Sequence, residues 1–154
     1  MQWIGPEIKM IKAVLAANVW VSGLISPKGP PGQIIDLWLA DKFQVAISPP
    51  ILFELLRVFQ YPRIKERIKA EDLHRLFAAI VEAVDLNLGK TTSDLLTMDP
   101  DDNIYLACAI ESKAKYLVTG NLKHFEEAGE IYEGVRILSP KNFLENFRRF
   151  ADIP

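Results

Sequence analysis

The chain has 154 residues, 49% of them hydrophobic and 25% charged, a balance that excludes disorder and suits one domain with a sizeable core spanning residues 1–154. Eighteen basic against twenty acidic side chains leave a net charge of −2, so nucleic-acid contact must rest on a local patch or on metal ions, not on a generally basic surface. One cysteine and two histidines exclude an internal disulfide, a cysteine-rich zinc site and a multi-histidine metal site, and no apolar run approaches the roughly 20 residues that span a bilayer. The lone Cys108 fits a reducing cytoplasm. Residues 1–10 include Pro6, Glu7 and Lys9, lack the apolar core of a signal peptide, and read as a short N-terminal extension.

Ile11 to Leu15 is a short apolar run rich in branched residues, which predicts a buried strand. Asn18 to Ser26 continues apolar until Pro27-Lys28-Gly29-Pro30-Pro31-Gly32 breaks the chain. Ile34, Ile35, Trp38 and Leu39 recur at helical spacing, predicting a helix from Pro31 to Asp41 with proline near its start. Phe43 to Ile47 is the second predicted strand, and Ser48-Pro49-Pro50 opens a helix carrying Leu52, Leu55, Leu56 and Phe59. Pro62 is expected to end it, and a basic segment follows. Asp72 to Val84 shows the 3.6-residue period of an amphipathic helix, and Asp85 to Leu88 suits a short edge strand. Asp99-Pro100-Asp101-Asp102 is a helix start before the apolar Ile104 to Ile110. Tyr116 to Thr119 predicts a strand, Gly120-Asn121 its turn, Leu122 to Glu127 a short helix, Val135 to Leu138 a last strand, and Pro140 to Phe147 a last helix. Short apolar strands alternating with helices indicate an α/β fold: three layers, α/β/α, around a central, mainly parallel sheet.

In such a sheet ligands bind beyond the carboxyl ends of the strands, at the topological switch point. Four positions fall there: Ala16 to Asn18, Glu54, Asp102 and Asn121. A dinucleotide fold would need closely spaced glycines after the first strand, where Ala16-Ala17-Asn18-Val19-Trp20 stands instead; Gly89-Lys90-Thr91 lacks the upstream glycine of a phosphate loop. Each candidate also has a plain structural reading. Glu54 suits a solvated helix position paired with Arg57, Asp102 an acid at a helix N-terminus, Asn121 a turn residue, and His124 a surface residue. Arg57, Arg63, Lys65, Arg67 and Lys69 form either a solvated connection or a patch that positions phosphates without reading sequence.

Four segments taken together resemble the PIN-domain family, and especially its toxins of prokaryotic toxin–antitoxin pairs. They are Val-Leu-Ala-Ala-Asn-Val-Trp-Val-Ser-Gly-Leu (14–24), Ser-Pro-Pro-Ile-Leu-Phe-Glu-Leu (48–55), Asp-Pro-Asp-Asp-Asn-Ile-Tyr-Leu-Ala (99–107) and Tyr-Leu-Val-Thr-Gly-Asn-Leu-Lys-His-Phe (116–125). The resemblance extends from about Ile11 to Phe147. It implies a cytoplasmic endoribonuclease that acts on single-stranded RNA with Mg2+ or Mn2+. The family's first acidic ligand falls on Ala16, its second on Glu54, its third on Asp102 and a fourth acidic or amide position on Asn121; Asn18 and the hydroxyl residue Ser22 are kept. Glu54 and Asp102 are then the metal ligands, with Asn121 a third catalytic group, and Asn18, Ser22, Arg63 and Lys65 contact substrate. Alanine at position 16 removes a ligand oxygen and predicts activity far below that of a relative bearing aspartate. The family also implies an antitoxin protein as partner and a homodimer, to which Asp72 to Val84 with Leu52, Phe53 and Leu56 could contribute, although core packing accounts for that stretch as well. The alternative from another class is a non-catalytic PIN-like module that binds RNA or protein.

Overall fold

The computed structural model describes residues 10–90, 100–128 and 131–150. Five strands form one sheet: β1 (Lys12–Leu15), β2 (Gln44–Val45), β3 (Tyr116–Val118), β4 (Ile131–Tyr132) and β5 (Val135–Leu138), in the order β2-β1-β3-β5-β4. All neighbours pair parallel except β4 and β5. The helices are α1 (Ala17–Ile25), α2 (Pro30–Leu39), α3 (Pro49–Val58), α4 (Pro62–Lys65), α5 (Ala70–Ala83), α6 (Pro100–Ser112) and α7 (Pro140–Phe150), with a 3-10 helix over Leu122–Ala128. Ala13, Val14 and Leu15 are buried in succession, as are Tyr116, Leu117 and Val118. Consecutive burial in a strand means cover on both faces, as the apolar runs predict. The chain moves from β1 outward to β2 and then back across the sheet to β3. Right-handed crossovers therefore put α1 and α2 on one face and α6 on the other.

Several predicted elements change on packing. The strand expected over Phe43 to Ile47 contracts to Gln44–Val45. Phe43 instead turns its ring into the aromatic rings of Phe143 and Phe147 on α7, and Ile47 makes an isolated bridge with Val84. No edge strand forms over Asp85 to Leu88. The Asp85 carboxylate accepts the Asn87 amide at 2.9 Å, a local turn that competes with strand pairing. Pro62 does not end the third helix; α3 stops at Val58, and Pro62 begins the one-turn α4. The pair β4 and β5 is a hairpin the sequence reading lacks, joined by Glu133 at φ 49° and Gly134 at φ 81°. Positive φ at both turn positions suits the right-handed twist of paired strands. The expected N-terminal extension up to residue 9 and the cap Asp99 lie outside the described residues. Among the described residues no helix is long and apolar enough to cross a membrane.

Cys108 lies buried on α6, and burial pushes its thiol from 9.0 up to about 11. Two decades of pKa leave about a hundredfold less thiolate below pH 9. Labelling by a disulfide reagent should accordingly be at least about a hundredfold slower in the folded chain than in urea. The unfolded chain releases this proton first, so unfolding free energy should fall as pH climbs from 9.0 to about 11. Cys108→Ala should flatten that decline in a pH series of denaturant titrations.

Candidate functional site

The chain leaves β1 toward β2 on one side and returns to β3 on the other, so the topological switch point lies between β1 and β3. The carboxyl ends of these two strands are tied together. The Ala16 amide donates to the Val118 carbonyl at 2.9 Å, and on the other side of β3 the Thr119 amide donates to the Leu138 carbonyl at the end of β5 at 2.9 Å. Ala16 is buried and extended, at φ −69° and ψ 159°, as the N-cap of α1, and no side chain caps that helix end. Ser, Thr, Asp and Asn are the residues that normally serve there, and alanine is among the poorest.

Asn18, in the first turn of α1, crosses the switch point. Its Oδ1 accepts the Gly120 amide at 2.8 Å and its Nδ2 donates to the Thr119 hydroxyl at 3.4 Å. The same hydroxyl accepts the Asn121 amide at 3.1 Å. A Cβ on Gly120 would stand 3.3 Å from Asn18 Oδ1 and push it back by a few tenths of an ångström, so glycine leaves this hydrogen bond uncrowded. Asn18, expected to contact substrate, has both ends of its amide on the turn after β3 and acts there as a brace. Thr119, only 1% exposed, is the hub of the network and was not among the sequence candidates. Its signal was a hydroxyl residue ending an apolar strand just before glycine, a pattern shared with many ordinary turns. Ser22 follows one turn after Asn18 on the same helix and is exposed. Asn121 Nδ2 lies 2.8 Å from His124 Nε2, which brings His124 to this edge as well.

Glu54 belongs to α3, which starts at the buried N-cap Ser48, whose hydroxyl accepts the Ile51 amide at 3.4 Å, with Pro49 and Pro50 in the first turn. This helix packs against both α1 and α6. The Glu54 side chain is 19% exposed, and its Oε2 takes a 2.6 Å ion pair from Arg57, the i,i+3 partner expected from the sequence. The Arg57 guanidinium also donates to the Tyr61 hydroxyl at 2.9 Å. Asp102 lies in the first turn of α6. That helix runs back toward the start of β3, so its N-terminus belongs to the carboxyl edge of the sheet. The Asp102 side chain lies outside the described residues, and with it any meeting with Glu54. Arg63 and Lys65 are exposed on α4, and Arg67 and Lys69 just beyond it.

Oxygen donors suit a hard divalent cation such as magnesium or manganese better than zinc. The fit is incomplete. Ala16 offers no side-chain oxygen, Asn18 Oδ1 is engaged by Gly120, and only Oε1 of Glu54 stands outside its ion pair. Among the described residues no three His, Cys, Asp or Glu side chains lie close enough to share an ion. An open groove of about 870 Å³ lies elsewhere, at the amino ends of β1 and β2, lined by Lys12, Gln44, Asp85 and Glu111 among others. None of the candidates lines it, and ligands of parallel sheets bind at the opposite edge.

A family profile described as PIN domain matches residues 12–123, the stretch that runs from β1 past the end of β3. An uncharacterised protein of Methanocaldococcus jannaschii, MJ1680, is 29% identical over 148 residues, covering 91% of this chain and 94% of its own. Among solved structures, VapBC2 from Rickettsia felis bound to a DNA fragment from their promoter is 18% identical, with a TM-score of 0.49 over 84% of this chain and 98% of that one.

Proposed function

The chain belongs to the PIN domain family, whose members are generally nucleases, and on that premise we propose that it is a metal-dependent endoribonuclease of single-stranded RNA, weakened by alanine at position 16. The observation that carries this reading is the joint at the switch point. Asn18 and Gly120, 102 residues apart, meet in a hydrogen bond beside Ala16, Thr119 and Asn121. Under this reading Glu54 and Asp102 would hold Mg2+ or Mn2+, an ion that uses one or two carboxylates and completes its shell with water and substrate phosphate. Such an ion supplies positive charge at a scissile phosphate and lowers the pKa of an attacking water. Arg57 holds one oxygen of Glu54. Asn18 and Thr119 keep the turn bearing Asn121 pressed against α1. Arg63 and Lys65 attract the RNA backbone.

The toxin role, with an antitoxin partner and a homodimer, rests on the likeness of the four motif segments to that branch of the family. The alanine itself favours the second reading, a non-catalytic module that binds RNA or protein. Incubating unstructured RNA with manganese separates the two, comparing this chain, Ala16→Asp, and Ala16→Asp with Asp102→Asn. Cleavage confined to the restored chain supports the nuclease; cleavage in none of the three defeats it. The basic patch has its own measurement. Arg63→Ala with Lys65→Ala should reduce the salt slope of RNA binding by about 1.4, roughly 0.7 for each phosphate contact on a single strand. An unchanged slope removes the patch from the substrate path.

A further inference from the structure

The solvent face of α3 carries a pattern that the metal-centre reading does not use. Phe53 and Arg57 lie one turn apart on α3, one above the other, and Tyr61, just past the end of that helix at the N-cap of α4, extends the row by taking a hydrogen bond from Arg57 on its hydroxyl. Phe53 is 67% exposed and Tyr61 37% exposed, high values for rings of this size. Arg57 between them is held from both sides, by Glu54 at 2.6 Å and by the Tyr61 hydroxyl at 2.9 Å. A planar guanidinium restrained in this way has little freedom left to lose when another flat group covers it. The row begins beside Glu54 and ends at α4, where Arg63, Lys65, Arg67 and Lys69 are exposed.

We propose that Phe53, Arg57 and Tyr61 form a track on which successive bases of a single-stranded nucleic acid stack beside Glu54. Two kinds of group build platforms for unpaired bases, aromatic rings and arginine planes, and they work alongside cations that follow the backbone. Both kinds occur here in one row. Charge selects the occupant. Residues 53–69 hold five basic and two acidic side chains in a chain whose net charge is −2. A polyanion is drawn to this stretch, whereas an apolar partner would meet a cationic rim. Duplexes hide their base faces and would gain only the backbone contacts. The occupant rests on the ribonuclease reading, but the track can be tested apart from it.

Binding of a short fluorescein-labelled oligouridylate to the full chain, in EDTA so that nothing is cut, measures the track directly. Phe53→Ala and Tyr61→Ala should each weaken binding roughly tenfold, the effect of losing one stacked base, while affinity for a duplex of equal length changes less than about twofold. Phe53→Trp should keep the affinity and add a tryptophan signal that the oligonucleotide quenches. Phe53 lies mostly in solvent, so these variants should keep the circular dichroism of the native chain. Three results overturn the track: single-strand affinity within about twofold of native in both alanine variants; an added tryptophan signal in Phe53→Trp that stays unquenched at saturation; or a native dimer that Phe53→Ala splits with affinity unchanged, which assigns the face to a second copy. Quenching in Phe53→Trp with no cleavage by Ala16→Asp keeps the track and removes the nuclease. Cleavage by Ala16→Asp with no quenching does the reverse.

Discussion

Ala16→Asp is expected to raise manganese affinity by roughly a hundredfold and to bring out RNA cleavage absent or barely measurable in the present chain. Even the partners of metal ligands change affinity by about 10- to 100-fold when lost, and a missing ligand sits closer to the ion than they do. The position favours the substitution on a second count. Ala16 is the N-cap of α1, extended and without a capping side chain. An aspartate there would accept from the amides of the first turn and meet the positive end of the helix, contributing about 1 kcal/mol. The buried setting of Ala16 opposes this while no cation is present, because a desolvated carboxylate is costly. Stability therefore separates the two effects. Ala16→Asn supplies the cap without the charge and should stabilise by about 1 kcal/mol whether or not manganese is added. Ala16→Asp should change little in EDTA and gain about 2.7 kcal/mol when manganese reaches a hundred times its dissociation constant. That gain corresponds to a rise of roughly 5–10 °C in Tm for a domain of this size. Adding Asp102→Asn should abolish both the metal-dependent shift and the cleavage. Equal manganese titrations for the native and aspartate chains would rule out position 16 as part of a metal site.

Gly32→Ala is expected to lower Tm by roughly 5–10 °C, against the sign that helix propensity predicts. Gly32 is the third residue of α2, and alanine in a helix is usually better than glycine by about 1 kcal/mol. Here a Cβ would overlap the Pro27 carbonyl group, a backbone atom that no side-chain rotation can move aside. Forcing such a contact costs about 2–3 kcal/mol in a packed interior. A second close approach lies on α1, where a Cβ on Gly23 would press on Ile35 and stand 3.1 Å from the Pro31 carbonyl. Gly23 thus lets α1 close on α2, Gly32 lets the loop at Pro27 fold back onto α2, and Trp20 packs edge-on to Trp38 with centroids 5.2 Å apart. Gly29→Ala is the control. Its nearest neighbour is the Ser26 carbonyl at 3.6 Å, so only the weaker capping by alanine at this N-cap position counts, and its Tm should fall by less than half as much as that of Gly32→Ala. A Gly32→Ala chain as stable as the native one would mean that the loop at Pro27 yields freely.

Most of the element plan was legible because periodicity reports burial directly. Branched apolar runs marked β1, β3 and β5, the 3.6-residue stripes marked α2 and α5, and Pro140 marked the start of α7, all close to their observed bounds. The failures share a cause. β4 has two residues, too few to show a period, and exists through its pairing with β5. Asp85 to Leu88 carried a strand-like composition, yet the Asp85 carboxylate closes a turn onto Asn87. Leu39 fitted the helical stripe of α2 and is nonetheless 51% exposed, because the stripe runs past the edge of what it covers. At the site, Glu54 with Arg57 was readable from a spacing of three, and the order of the motifs marked Ala16, Asp102 and Asn121. Thr119 and the bracing duty of Asn18 were not readable, since their partners lie 101 and 102 residues away.

The order of amino acids by itself determined the alternation of strands and helices, the chemistry carried by each strand end, and the lack of a side-chain oxygen at position 16. Only the tertiary structure decided that Asn18 holds Gly120, that Gly32 admits no side chain and that Phe53 stays mostly in solvent while Tyr61 stays partly so. The reason is one of range. Periodicity and capping are fixed by neighbours within a few residues, whereas hydrogen bonds across the switch point and contacts between helices depend on the crossovers that bring distant segments together.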